Sequence, residues 1–106
     1  DIYKDDGMPL LENIRISKGK KDYVNCRYEK EFSYMFINPV NHEDISKELH
    51  INENIAAPVY EGDTIGTLEY YYNGEKIGSV NVISSENIEK ADFLTQIKKV
   101  LGRLLK

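Results

Sequence analysis

The sequence predicts a mainly β fold, a small antiparallel β-sandwich or partial barrel followed by a C-terminal amphipathic helix. Short runs of alternating polar and apolar residues recur between Asn13 and Ser84 with turn signals between them. Asn73-Gly74 marks a hairpin inside that region, and from Asp92 onward the apolar residues switch to helical spacing.

Asn13 to Ser17 alternates polar and apolar residues, the pattern of a strand with one buried face, and Lys18-Gly19-Lys20-Lys21-Asp22 is a polar turn. Tyr23 to Tyr28 alternates again, with Cys26 in phase with Val24 and Tyr28 and therefore read as a core hydrophobe. Glu31 to Ile37 is aromatic and apolar on both faces, which predicts a strand covered on both sides until Asn38-Pro39 breaks it. Asn41 to Lys47 reads as a loop and Glu48 to Ile51 as a short strand. In Asn52 to Gly66, Pro58 withholds a ladder N–H, while Gly62 and Gly66 are free to take positive φ.

Thr67 to Tyr72 and Lys76 to Ser84 flank Asn73-Gly74, the pair a type I′ turn demands because both central residues need positive φ. A plain two-residue turn sets Val80 against Thr67. One extra loop residue sets Val80 against Leu68 and Val82 against Gly66, and this second register is preferred. Ser85 or Asn87 is placed to cap the final helix, with Glu86 and Glu89 in its first turn, where the macrodipole favours anions. At helical spacing Phe93, Ile97, Val100, Leu101, Leu104 and Leu105 share about 140° of arc, leaving Lys98, Lys99, Arg103 and Lys106 on the rest.

Charge separates the same two parts. From Asp92 to the end there are four cations and one anion, a net of +3, so residues 1–91 carry 10 − 17 = −7 of the overall −4. An acidic body repels phosphate backbones, which argues against a nucleic-acid partner. No run approaches the roughly 20 apolar residues of a spanning helix. A lone cysteine forms no internal disulfide. Because the sequence starts at Asp1 and stops within an apolar-periodic run, it is read as a piece of a longer chain with room for one core.

No catalytic set emerges. Ser17-Lys18-Gly19-Lys20 matches Ser-x-x-Lys and Ser85-Glu86-Asn87 matches Ser-x-Asn, two signatures of active-site serine penicilloyl-transfer enzymes. In those enzymes the serine opens a buried helix that brings the lysine beside its hydroxyl, whereas here the residues fall in an exposed turn, and Lys76-Ile77-Gly78 lacks the hydroxyl of Lys-Thr-Gly. The match is read as coincidence. His42, Glu43, Asp44 and His50 lack ligand spacing on a shared helix or hairpin, so no metal and no cofactor are predicted. Tyr70 and Tyr72 point the same way along a strand and form a possible partner face, although core and cross-strand packing explains them better. For the tail, docking on the β core or a coiled-coil seam stands against membrane binding. The cationic polar face, almost free of acids, favours an anionic lipid surface.

Ile55-Ala56-Ala57-Pro58-Val59, then Gly62-Asp63-Thr64-Ile65-Gly66-Thr67-Leu68, then Asn73-Gly74-Glu75-Lys76-Ile77-Gly78-Ser79-Val80 and a terminal amphipathic helix together resemble the C-terminal domain of low-molecular-mass penicillin-binding proteins, the serine-type D-alanyl-D-alanine carboxypeptidases. Ser17 to Val24 is similar to the family's glycine-containing turn, and the resemblance spans nearly all of residues 10 to 105. It implies a bacterial extracytoplasmic setting and an upstream hydrolase domain in cis that trims peptidoglycan stem peptides. It also implies a β-rich stalk over residues 1–90 and an anchor helix over residues 91–106 on the outer leaflet of the cytoplasmic membrane. Membrane contact is then assigned to Phe93, Ile97, Lys98, Lys99, Val100, Leu101, Arg103, Leu104 and Leu105. No catalytic residue carries over, Ser17 and Lys20 included, and Gly102 departs from an uninterrupted anchor helix.

Two other classes are weighed beside this one. The sheet face is an alternative interaction module for a cell-wall protein or peptidoglycan, motivated by the tyrosines. A lipoyl- or biotinyl-carrier domain shares Ala-Pro-Val and Gly-Asp-x-Ile-Gly, but Lys76 near the hairpin tip lacks the flanking pattern that carriers present.

Overall fold

The computed structural model describes the backbone of residues 1–104 and the side chains of residues 1–92 and 97–102. In chain order the strands are β1 (Ile2–Lys4), β2 (Ile14–Arg15), β3 (Tyr23–Val24), β4 (Cys26–Tyr28), β5 (Ser33–Met35), β6 (Ile45–Ile51), β7 (Thr64–Tyr72) and β8 (Glu75–Ser84). A 3₁₀ turn at His42–Asp44 precedes β6, and the helix α1 (Phe93–Leu104) follows β8. One antiparallel sheet in the order β4-β8-β7-β6 forms the backbone of the molecule, and two ribbons, β1 with β5 and β2 with β3, lie over it.

The β7–β8 hairpin shows how local chemistry sets the register. Asn73 and Gly74 both take positive φ, 48° and 83°, so Tyr72 pairs with Glu75 and Tyr71 with Lys76 across a plain two-residue turn. The ladder then slips by one, because Tyr70 faces Gly78 and Ile77 is left as a bulge. Leu68 therefore meets Val80 and Gly66 meets Val82, the register preferred from the sequence. The extra residue lies in the strand instead of the loop. A second slip falls between Thr64 and Gly66, where β6 closes tightly: a Cβ on Gly66 would sit 2.2 Å from the His50 carbonyl oxygen.

The long β7–β8 pair serves two cores in succession. Near the hairpin tip, Phe32, Leu68, Tyr70 and Val80 are buried together, with Tyr3, Met8 and Ile45 packed against them. At the other end, Ile16, Val24, Ala57, Val59, Ile65, Val82 and Ile88 form the second core. The first receives the start of the chain and the second lies next to α1, so the molecule is elongated, 61 Å by 25 Å by 19 Å.

Several sequence expectations need correction. Glu31–Ile37 is not a strand covered on both sides: only Ser33–Met35 pairs, with β1 in a two-stranded ribbon, and Met35 and Ile37 are 71% and 97% exposed. Phe32 alone of that run turns fully inward. The loop expected at Asn41–Lys47 is a short 3₁₀ turn capped by the Asn41 side chain, and β6 already begins at Ile45. Ser85 and Asn87 do not cap the helix. Residues 85–91 are held by the β body instead: Val59 and Ile88 exchange both backbone hydrogen bonds, and Ala91 N–H donates to Lys18. Glu86 accepts from the Lys21 ammonium and the Asn25 N–H, which explains its lowered pKa, and it lies before α1, which starts at Phe93.

Candidate functional site

The helix presents the feature most unlike a finished domain. Ile97, Val100 and Leu101 fall on one side of α1 at helical spacing and remain 39%, 54% and 49% exposed. Lys99 lies on the reverse side. Its Nζ donates to the Gly19 carbonyl at 2.6 Å and to Asp22 Oδ1 at 3.0 Å. The helix is thus tethered to the β2–β3 turn through a cation, while its apolar stripe stays about half exposed. Of the other residues assigned to membrane contact, Lys98 is exposed. The side chains of Phe93, Arg103 and Leu104, and all of Leu105, lie outside the described residues. Among the described residues no helix is long and apolar enough to cross a membrane.

The proposed tyrosine face is not a face. Tyr70 is fully buried, its ring stacked on Phe32 at 3.8 Å between centroids and 9° between planes. Its hydroxyl donates to Asp5 Oδ2 at 2.5 Å. Burial raises the Tyr70 pKa and the Asp5 bond raises it further, so it stays a neutral donor. Tyr72 is half-buried, edge-on to Phe36 at 5.1 Å. The bulge matters here, because without it Tyr70 would not lie over Gly78, the gap into which Phe32 packs. Asp5, which the sequence did not single out, ties this end together. Burial pushes its carboxyl pKa up, but the Tyr70 hydroxyl, the Gly7 N–H and the Lys47 ammonium outweigh that and hold it below the usual carboxylate range.

The Ser-x-x-Lys match has no catalytic geometry. Ser17 Oγ bonds the Ile55 carbonyl at 3.4 Å, whereas Lys20 Nζ bonds Glu89 Oε2 at 2.6 Å, raising the lysine pKa and lowering the glutamate's. Burial also raises the Cys26 thiol, the reverse of what a nucleophile needs.

One grouping was invisible in the sequence. Register sets Glu48 directly opposite Glu69 across β6 and β7, with His50 one step along the same face. His50 Nε2 lies 3.3 Å from both Glu48 Oε2 and Glu69 Oε2, and the three ligand atoms fall within 4.8 Å of one another, a set able to hold a divalent ion. Glu69 is already satisfied in other ways: the Tyr71 hydroxyl donates to it, and Lys76 pairs with it at 3.3 Å. Those partners lower the Glu69 pKa, and the same bond pushes Tyr71 up to about 12. The cluster reads as a solvent-facing charge network. Lys76, the lysine near the hairpin tip weighed for a carrier domain, is part of it.

Comparison with known proteins gives the same assignment as the motif order. A family model described as penicillin-binding protein 5, C-terminal domain, matches residues 2–90. The D-alanyl-D-alanine carboxypeptidase DacF of Bacillus subtilis (strain 168) is 28% identical over 92 residues, covering 87% of this chain and 24% of DacF. Penicillin binding protein 5 from Haemophilus influenzae superposes with a TM-score of 0.63 at 19% identity, over 85% of this chain and 26% of that one. The chain spans about a quarter of the length of each relative. With its two-core β body matched over nearly its full length, the chain belongs to the family of penicillin-binding protein 5 C-terminal domains.

Proposed function

We propose that this chain is a non-catalytic domain of a D-alanyl-D-alanine carboxypeptidase acting in peptidoglycan maturation, one that spaces an upstream catalytic domain from the cytoplasmic membrane and holds it at the outer leaflet. The observation that carries this reading is the orientation of α1, tethered to the body by Lys99 with Ile97, Val100 and Leu101 left open to a surrounding surface. The elongated body suits a spacer. Its first strand packs against one core and the last turn before the helix belongs to the other, so the two attachments are served by different parts of the β7–β8 pair. At the end where the chain enters, Ile2, Met35 and Ile37 are exposed, a surface suited to an upstream domain in cis.

Sedimentation with phosphatidylglycerol vesicles tests the anchor. About half of each of Ile97 and Leu101 remains to be covered, so membrane burial contributes roughly 0.7–1.5 kcal/mol per side chain. Replacing both with Asp is expected to abolish sedimentation, and Lys98→Glu to weaken it. Undiminished binding by the double Asp variant refutes the anchor. The rival reading, a sheet face that recruits wall material, loses its main motive with Tyr70 buried. Retention of residues 1–91 on intact sacculi would restore it.

A further inference from the structure

Between α1 and the β body lies a cleft of about 290 Å³ whose wall includes Arg15, Lys18, Gly19, Asp22, Lys99 and Val100. Three of the charged groups in it are cations and one, Asp22, is an anion, so the lining carries 3 − 1 = +2. Asp22 is bonded to Lys99. Arg15 and Lys18 form no ion pair among the described residues, unlike Lys20 and Lys21 of the same turn, which are matched to Glu89 and Glu86. Together with Lys99, Arg15 and Lys18 give the joint with the helix a net positive lining on a body that is acidic as a whole. Val100 borders the cleft and also belongs to the half-exposed apolar stripe.

From this continuity we propose that the cleft binds the phosphate of an anionic phospholipid headgroup, with Arg15 and Lys18 as the ligating cations and the acyl chains lying along Ile97, Val100 and Leu101. The inference rests on the membrane reading above and deepens it. The β2–β3 turn becomes a second point of lipid contact, which would fix the tilt of the body on the surface where a helix alone would leave it free to swing. Geometry supports the division of labour. Lys99 is spent on Gly19 and Asp22, which ties α1 to one wall of the cleft, while Lys18 sits at a positive φ of 61° in the same turn. Phosphate is the matching ligand class because guanidinium and ammonium donors recognise its oxygens directly.

The test measures the full chain on vesicles of phosphatidylglycerol in phosphatidylcholine, comparing it with an Arg15→Gln, Lys18→Asn double variant. Asn tolerates the positive φ at position 18, and both side chains are exposed, so the fold is retained. Each basic group near an anionic surface is worth about fivefold in affinity, so the double variant is expected to bind about 25-fold more weakly, with no difference on pure phosphatidylcholine. Equal binding by variant and parent overturns the cleft while leaving the anchor helix standing. Failure of the parent chain itself to bind vesicles sinks the anchor, and the cleft with it. A third arm adds millimolar inorganic phosphate: retention on the vesicles agrees with a lipid ligand, whereas displacement of the parent together with phosphate-induced amide shifts at Arg15 and Lys18 assigns the cleft to free phosphate and overturns the lipid proposal.

Discussion

Phe32 and Gly78 form a pair whose coupling can be worked from the structure. Phe32 is 7% exposed and stacks on Tyr70, and a Cβ added at Gly78 would fall 2.7 Å from its Cε2 atom. Phe32→Ala should cost about 4 kcal/mol, within the range for deleting a buried phenyl ring, because the stacking contact is lost along with the buried area. Gly78→Ala alone drives its methyl into the ring and should cost about 1–3 kcal/mol by overpacking. Once the ring is gone the clash disappears and the methyl occupies part of the void. The double variant should therefore be more stable than the sum of the single effects by about 1–3 kcal/mol. Urea denaturation of the four proteins measures this, and hydrogen exchange should show protection lost first in β1 and β5, not around Val24 and Val59. Strict additivity, or uniform loss of protection in both cores, would refute the reasoning.

Other consequences follow from single residues. Asp5 has a depressed folded-state pKa, so its contribution is fully present above about pH 4, the value in an unfolded chain, and is lost as pH falls through the lower folded value. Asp5→Asn should flatten that acid limb in a pH series of thermal melts, and should lower stability at neutral pH by about 1–3 kcal/mol as the buried Tyr70 hydroxyl loses its charged acceptor. Gly66→Ala should displace β6, since its methyl meets backbone that cannot rotate away, and amide exchange along Ile45–Ile51 should rise by at least tenfold. Cys26 should react with a thiol reagent at pH 8 more slowly than free cysteine, because burial raises its pKa. Equal rates would place the thiol in solvent.

The hairpin was legible because Asn73-Gly74 is a two-residue signal with a strong backbone preference, and apolar pairing along β7 and β8 then chose the register. What the sequence did not show is that the slip occurs at Ile77, since bulge and longer loop give the same Leu68–Val80 pairing. Apolar richness misled at Glu31–Ile37, where the period-two pattern cannot separate a strand buried on both faces from an exposed ribbon with one inward ring. The helix start was misplaced because Ser85, Glu86 and Asn87 look like a cap locally, while the deciding interactions, Val59 with Ile88 and Glu86 with Asn25, are long-range. The same limit hid the sites. Glu48 and Glu69 stand 21 positions apart in sequence and meet only through register. Arg15, Lys18 and Lys99 converge only because the β2–β3 turn receives the helix.

Neutron reflectometry of the full chain bound to a supported phosphatidylglycerol bilayer tests the spacer most directly. An upright molecule anchored at one end predicts a protein layer well above 25 Å in height, up to the 61 Å of its long axis. A layer only 19–25 Å thick, the short dimensions of the molecule, would mean that the body lies flat and holds nothing away from the membrane.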